Sequence, residues 1–319
     1  MARQKTLLII FYTSLAACVF FLTGFFLARR HLPKPRKNFA RISIHEHYWH
    51  LGNINYYLDL MAKYNIKKAV FVPTGQAPDN FGYDKNMREL LLLQKKFPDK
   101  IIAFATVNAS DLKAPAIFEN AVKNGALGLK LIDWHSSFNP AYPIDSPVVI
   151  SLLRIAEKNR LPVLFHVEID KYPDQKIRLE NVVKMFPRVN FILAHYCGAL
   201  ENVSLCGDLL TKYQNVYADV TLGVGLSSFP KTISANAQKF RGFVIDNQDK
   251  ILFGDDVIIE PDRITPQLLE TRFNTDFDLL EKETYETDLI KNTPLKGLSL
   301  PAVVLRKIYY ENAARILYH

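Results

Sequence analysis

Cysteine is scarce in this chain, which holds three in 319 residues: Cys18, Cys197 and Cys206. So few exclude a disulfide-scaffolded fold and mildly favour a reducing compartment. Glycine (13) and proline (17) are too few for a collagenous or low-complexity chain. No internal sequence repeat recurs, which argues against a solenoid or propeller. Acidic residues are missing from positions 1–37, where seven of the 40 Lys and Arg lie, so most of the formal charge of +8 sits there and the remainder sets 33 cations against 32 acids. Nucleic acid is therefore not expected as a partner, because polyanion binding needs clustered Lys and Arg on the folded part.

What is present begins with residues 7–28, a run of 22 uncharged, mostly apolar positions. As a helix it would span about 33 Å, the thickness of a bilayer core. Phe20, Phe21, Phe25 and Phe26 carry the run straight into Arg29 without a small-residue cleavage site, which favours a retained single-pass anchor over a signal peptide. Leu15-Ala16-Ala17-Cys18 looks like a lipobox, but the apolar run continues past it. Two basic residues before the run and five after it place the large domain in the cytoplasm, although a long translocated domain can override so small a bias. Residues 31–38 carry Pro33, Pro35 and four basic residues and read as a spacer close to lipid headgroups. A second domain is expected over 39–319.

In that domain short β-branched or apolar runs recur at 40–44, 68–73, 101–107, 127–132, 162–167, 190–195, 215–220 and 250–254, with helix-patterned segments between them. Eight such alternations over about 280 residues predict a closed (β/α)8 TIM barrel. Asp111 and Ser146 are expected N-caps. Residues 257–299 read as an irregular acidic stretch roofing the site, followed by a final amphipathic helix over 302–318.

A barrel of this kind builds its site at the carboxyl ends of its strands. The first strand ends His45-Glu46-His47, and a period of two turns both imidazoles to one side. His166, His195 and the pair Asp255-Asp256 fall at three further strand ends. Imidazoles with a carboxylate are the ligands of a borderline-soft divalent ion, zinc first. Each histidine alone is more simply a satisfied core or surface residue; it is their joint placement that points to a metal.

These residues belong to a series of motifs: His45-Glu46-His47, Gly128-Leu129-Lys130-Leu131, 161–166 ending in His166, 192–195 ending in His195, 215–219 ending in Asp219, 251–256 ending in Asp255-Asp256, and 312–317. In this order they resemble the amidohydrolase-related (amidohydrolase 2) family, from about residue 40 to the C-terminus. The resemblance implies a metal held by His45, His47, His166 and Asp256, with His195 and Asp256 as the catalytic pair. Two departures stand out: Asp255 occupies a position where the family has a small hydroxyl residue, and Ser43 one where it often has Asp. Lys130 is read first as a substrate or ion-pair residue, with Asp133 or Glu168 as its partner, and second as a carbamate bridging two metals. Glu168 and Trp49, with Asp133, His50 and His135, lie just past strand ends and are candidate pocket residues; Lys130, Glu168 and Trp49 are taken as substrate-binding. Loop surface is the simpler reading of each.

The expected function is a membrane-anchored metal-dependent hydrolase that uses a metal-activated water on a small amide, lactone or carboxylate. A nonoxidative decarboxylase of the same family is the alternative, and a catalytically silent membrane-bound binding protein the contrasting class. Homo-oligomerisation stays open.

Overall fold

Apolar runs bounded by polar turns become strands here because the barrel buries both of their faces. In the computed structural model of the protein, residues 38–49, 52–73, 80–132, 143–223, 228–260 and 265–318 are described. The strands are β1 (Arg41–Tyr48), β2 (Ile66–Pro73), β3 (Ile101–Ala103), β4 (Ala105–Thr106), β5 (Leu129–Ile132), β6 (Val163–His166), β7 (Phe191–Leu193), β8 (Val216–Asp219) and β9 (Ile251–Leu252). β3 and β4 are one strand broken at Phe104, whose N–H donates to the Phe71 carbonyl at 2.9 Å. All neighbours pair in parallel in this order. The Ile44 N–H donates to the Phe253 carbonyl at 2.9 Å and closes the ring at eight strands. A short β10 (Ile258–Ile259) then pairs with the end of β1. The fold is the α/β TIM barrel that the alternation predicts.

Alternate residues along the strands, among them Ile42, Ile44, Val70, Val72, Ile102, Phe104, Leu164, Ile192 and Leu252, fill the barrel interior. Ala313 and Ile316 of the C-terminal helix join that cluster and plug the amino-terminal end. The residues between them pack outward on α1 (Ile54–Lys63), α2 (Asn80–Lys96), α3 (Ala114–Lys123), α4 (Pro147–Lys158), α5 (Pro173–Met185), α6 (Ser204–Lys212), α7 (Ser228–Ala235) and α8 (Ala237–Asp246). Ser146 caps α4 as expected, accepting the Val149 N–H at 3.4 Å. Asp111 instead closes a turn one step early, accepting the Lys113 N–H at 2.8 Å, and α3 starts after Lys113.

Two expectations are corrected. Residues 257–299 are mostly regular: α9 (Pro266–Glu281), capped by Thr265, leads into the hairpin β11 (Thr284–Thr287) and β12 (Ile290–Lys296). The C-terminal helix runs Ala302–Arg306, loosens into a π turn at Lys307–Glu311 and resumes over Asn312–Leu317. The expected membrane helix at 7–28 and its spacer lie outside the described residues. Among the described residues no helix is long and apolar enough to cross a membrane. Residues 39–319 form a compact unit of their own.

Candidate metal centre

His45 and His47 both lie in β1 and, two residues apart, face the carboxyl end of the barrel together. Asp256 is brought to them by backbone: its N–H donates to the His45 carbonyl at 2.8 Å. The three donor atoms form a nearly regular triangle. His45 Nε2 lies 3.2 Å from His47 Nε2 and 3.4 Å from Asp256 Oδ1, and His47 Nε2 lies 3.0 Å from that oxygen. Donors about 2.0–2.1 Å from a tetrahedral ion are spaced about 3.3 Å apart, so the triangle matches one face of a metal polyhedron. Among the described residues, His45, His47 and Asp256 are the group that can hold an ion.

Protonation suits the role. Burial, helped by Lys130, lowers the His45 pKa to about 4, and burial lowers that of His47. Both imidazoles are therefore neutral at pH 7, as ligands must be. Burial alone would raise Asp256, but His45, His47 and His195 outweigh it and hold the carboxyl well below its ordinary range.

Asp219, which ends one of the sequence motifs without an expected role, is central to the site. Its Oδ2 lies 2.9 Å from His45 Nδ1, which assigns the ring proton to Nδ1 and leaves Nε2 free to ligate. Its Oδ1 accepts the His195 backbone N–H at 2.8 Å and the Thr221 hydroxyl at 2.7 Å. Since that hydroxyl donates to Asp219, its oxygen accepts from His195 Nδ1, 2.7 Å away. In the neutral tautomer that this hydrogen bond selects, His195 Nε2 is the acceptor nitrogen, and it lies 3.7 Å from Asp256 Oδ2. Asp219 is the carboxylate at the end of β8, so the strand-end rule that found the others was available for it.

His195 does not end a strand as expected. β7 stops at Leu193, and His195, Tyr196 and Cys197 then take positive φ of 54°, 56° and 62°. Asp256 has φ 50°. Left-handed non-glycine residues are uncommon, and here they carry both proposed catalytic side chains. Cys197 and Cys206 are disulfide-bonded, which removes the mild support that so few cysteines lent to a reducing compartment.

His166 ends β6 with its ring 5.1 Å from that of His195, centroid to centroid, and its Nε2 4.0 Å from Glu168 Oε1. It borders the triangle through His195 and is outside the group of three. Lys130 is buried inside the barrel, its Nζ 3.0 Å from His45 Nε2, and burial lowers its pKa to about 8. The carboxylates acting on it are Asp256 and Asp219. Glu168, the partner expected for Lys130, pairs with Lys171 at 3.2 Å; Asp133, His50 and His135 lie outside the described residues. Trp49 follows β1, where its N–H donates to the Ile259 carbonyl at 3.0 Å.

Behind the ligands is a second polar layer. Glu46, turned away from its histidine neighbours, accepts the backbone N–H groups of Asp255 at 3.2 Å and Val257 at 3.0 Å, and also the Ser43 hydroxyl. It thus grips the backbone on both sides of Asp256. Burial, reinforced by Asp255, raises the Glu46 pKa; burial, reinforced by Asp276, raises that of Asp255. Arg272 of α9 donates to the carbonyls of Gly223, Asp255 and Asp256 at 3.1, 2.9 and 3.2 Å. The acidic stretch therefore supports the site from behind.

A parallel eight-stranded barrel with a largely buried His, His, Asp triangle at the carboxyl ends of its strands defines a barrel protein with a candidate divalent-metal site. The chain belongs to the amidohydrolase family, whose model matches residues 38–318. No curated protein matches it in sequence. The fold is similar to that of 2,6-dihydroxybenzoate decarboxylase from Rhizobium, with 15% identity, a TM-score of 0.58, and coverage of 88% of this chain and 98% of that one. It is likewise similar to a probable 2-pyrone-4,6-dicarboxylic acid hydrolase from Acinetobacter baumannii, with 14% identity, a TM-score of 0.58, and coverage of 89% and 100%.

Proposed function

We propose that the protein is a metal-dependent hydrolase acting on a small cyclic or aromatic carboxylate carrying a lactone or amide, tethered to a membrane through residues 7–28. The observation that carries the enzymatic reading is the His45, His47, Asp256 triangle, with both imidazoles neutral and ion-sized spacing between donors. His45, His47 and Asp256 would hold a divalent ion, zinc first, which would supply polarisation of a substrate oxygen and a more acidic water.

The chain's own residues do the rest. His195, whose Nδ1 proton is held by the Thr221–Asp219 chain, takes at Nε2 a proton from the attacking water and returns it to the leaving group. Lys130, a buried cation beside the triangle, binds the substrate carboxylate. His166 and Glu168 border the site on the His195 side, and Trp49 is assigned to substrate contact.

Decarboxylation is the second reading, favoured by the likeness to the 2,6-dihydroxybenzoate decarboxylase, whose name gives a carboxylate of the kind that Lys130 would bind. Elemental analysis of the protein and of His47→Asn tests the centre. About one zinc-class ion per chain is expected in the parent and little in the variant, with turnover reduced on the order of 1000-fold or more. Full occupancy in His47→Asn refutes the assignment, and a metal-free parent supports a binding protein. CO2 release without net water consumption selects decarboxylation. Carbonate extraction of membranes tests the tether, and release of the full chain into the supernatant overturns it.

A further inference from the structure

At the end of the barrel opposite the metal centre, helices finish and strands begin. Six helices carry lysine in their last turn there: Lys63, Lys95 with Lys96, Lys123, Lys158, Lys184 and Lys212. The helix dipole accounts for each of these, so the ring by itself carries nothing.

One sector exceeds that explanation. A cleft of about 750 Å³ between the ends of α4 and α5 and the C-terminal helix is lined by Arg154, Lys158, Arg160, Arg188, Glu157 and Ile316. Its one carboxylate is engaged, with Glu157 Oε2 3.4 Å from Arg188 Nη2. Arg154, Lys158 and Arg160 have no carboxylate partner among the described residues. Arg160 is notable for its backbone. The same helix-to-strand turn takes a left-handed residue in three units, and the occupants are Asn65 (φ 55°), Gly125 (φ 106°) and Arg160 (φ 55°). Asn and Gly adopt that conformation cheaply and Arg does not, so the sequence keeps a guanidinium at the cleft against a local cost. Cations in this sector are balanced by acids elsewhere in a domain of almost no net charge, which is why composition did not reveal them.

The same end of the barrel exposes apolar side chains: Leu127 (47%) in the turn before β5, Met185 (56%) at the end of α5, and Tyr318 (50%) after the C-terminal helix. Inorganic phosphate would need only the cations, whereas a bilayer surface takes anionic headgroups onto Arg and Lys and apolar side chains into its interface. We infer that the amino-terminal end of the barrel is a docking surface for anionic lipid headgroups, with the cleft of Arg154, Lys158, Arg160 and Arg188 as its centre. The inference stands on the barrel alone and needs neither the catalytic reading nor the anchor.

Its test is co-sedimentation of residues 39–319 with phosphatidylcholine vesicles containing one-third phosphatidylserine. Those residues form a compact unit, and solved chains matched over 98–100% of their length correspond to 88–89% of this one, about the barrel's share. Binding is expected that falls steeply between 0.1 and 0.5 M salt and is absent with phosphatidylcholine alone. Arg154→Glu with Lys158→Glu and Arg160→Glu should weaken it on the order of 100-fold while metal content and melting temperature hold. If the triple variant fails to fold, Arg188→Gln with Lys158→Gln serves, with on the order of 10-fold weakening expected. Three results overturn the proposal: no binding to anionic vesicles, equal binding to neutral ones, or unchanged binding by the folded variants. Tighter binding of poly(U) than of vesicles, or full displacement by millimolar phosphate, overturns the lipid assignment.

Discussion

A carboxylate has two oxygens, and Asp219 uses one to orient each of the two imidazoles that matter most. Oδ2 fixes the His45 tautomer, while Oδ1 holds the His195 backbone and the Thr221 hydroxyl that fixes the His195 ring. Asp219→Asn puts an amide where two or more donors converge, so it should weaken metal affinity by roughly 10- to 100-fold. A competition titration against a chromogenic chelator reads this directly, and an unchanged affinity would remove Asp219 from the centre. Glu46 acts on the third ligand through backbone, one carboxyl oxygen accepting the Asp255 N–H and the other the Val257 N–H. Glu46→Gln keeps only one of these two acceptors and is expected to lose part of its metal, whereas Glu46→Ala strands both buried N–H groups, costs about 1–3 kcal/mol each in unfolding free energy, lets Asp256 drift and loses more. Equal metal loss in both variants would contradict this.

The turn after β7 places His195 through an arrangement that needs support from outside itself. Three consecutive left-handed non-glycine residues are followed by Gly198, also left-handed at φ 59°, where a Cβ would lie 1.9 Å from the Val167 carbonyl oxygen. The Cys197–Cys206 bond ties this turn to α6. Cys206→Ser should lower unfolding free energy by about 2–4 kcal/mol and reduce turnover more than metal content, because it loosens His195 and not the triangle. Denaturant titration with parallel elemental analysis separates the two effects; metal loss in proportion to activity would argue against this account. None of this turn was legible in the sequence, since Ala194-His195-Tyr196-Cys197 carries no glycine signal before Gly198 and nine residues separate the sulfurs. The strands were legible because burial on both faces demands continuous apolar runs, and His45 and His47 because period two leaves no freedom. Helix α9 was missed because Arg272, Thr275, Asp276 and Asp278 are buried, which erases its amphipathic pattern. Thr265 followed by Pro266, an N-cap and a first-turn proline, was the signal available.

Taken as a whole, the barrel is closed and braced by polar groups that water never reaches. Arg41 at the start of β1 is buried against the rings of Phe277 and Tyr309 at 4.4 and 4.6 Å and pairs with Glu281 at 3.2 Å, so it joins α9 and the C-terminal helix to the first strand. The same helix brings Asp276 up to Asp255, and burial, opposed in part by the Asp255 hydrogen bond, lifts the Asp276 pKa to about 7. An unfolded Asp titrates near 3.9. Between about pH 4 and pH 7 the folded protein therefore holds a proton that the unfolded chain has released, and stability from this group falls as pH rises through that window. It is fully present below about pH 4 and lost above about pH 7, with an upper bound of roughly 4 kcal/mol across the whole shift. Asp219 and Asp256, held low by their histidines, run the opposite way, so the parent's net pH profile mixes both signs. Comparison with Asp276→Asn isolates one of them. The asparagine variant should gain about 1–3 kcal/mol over the parent between pH 5 and pH 8, measured by denaturant unfolding of the chelator-treated proteins. A difference that stays flat over that range would mean that Asp276 ionises normally and that the proton in this buried layer resides elsewhere.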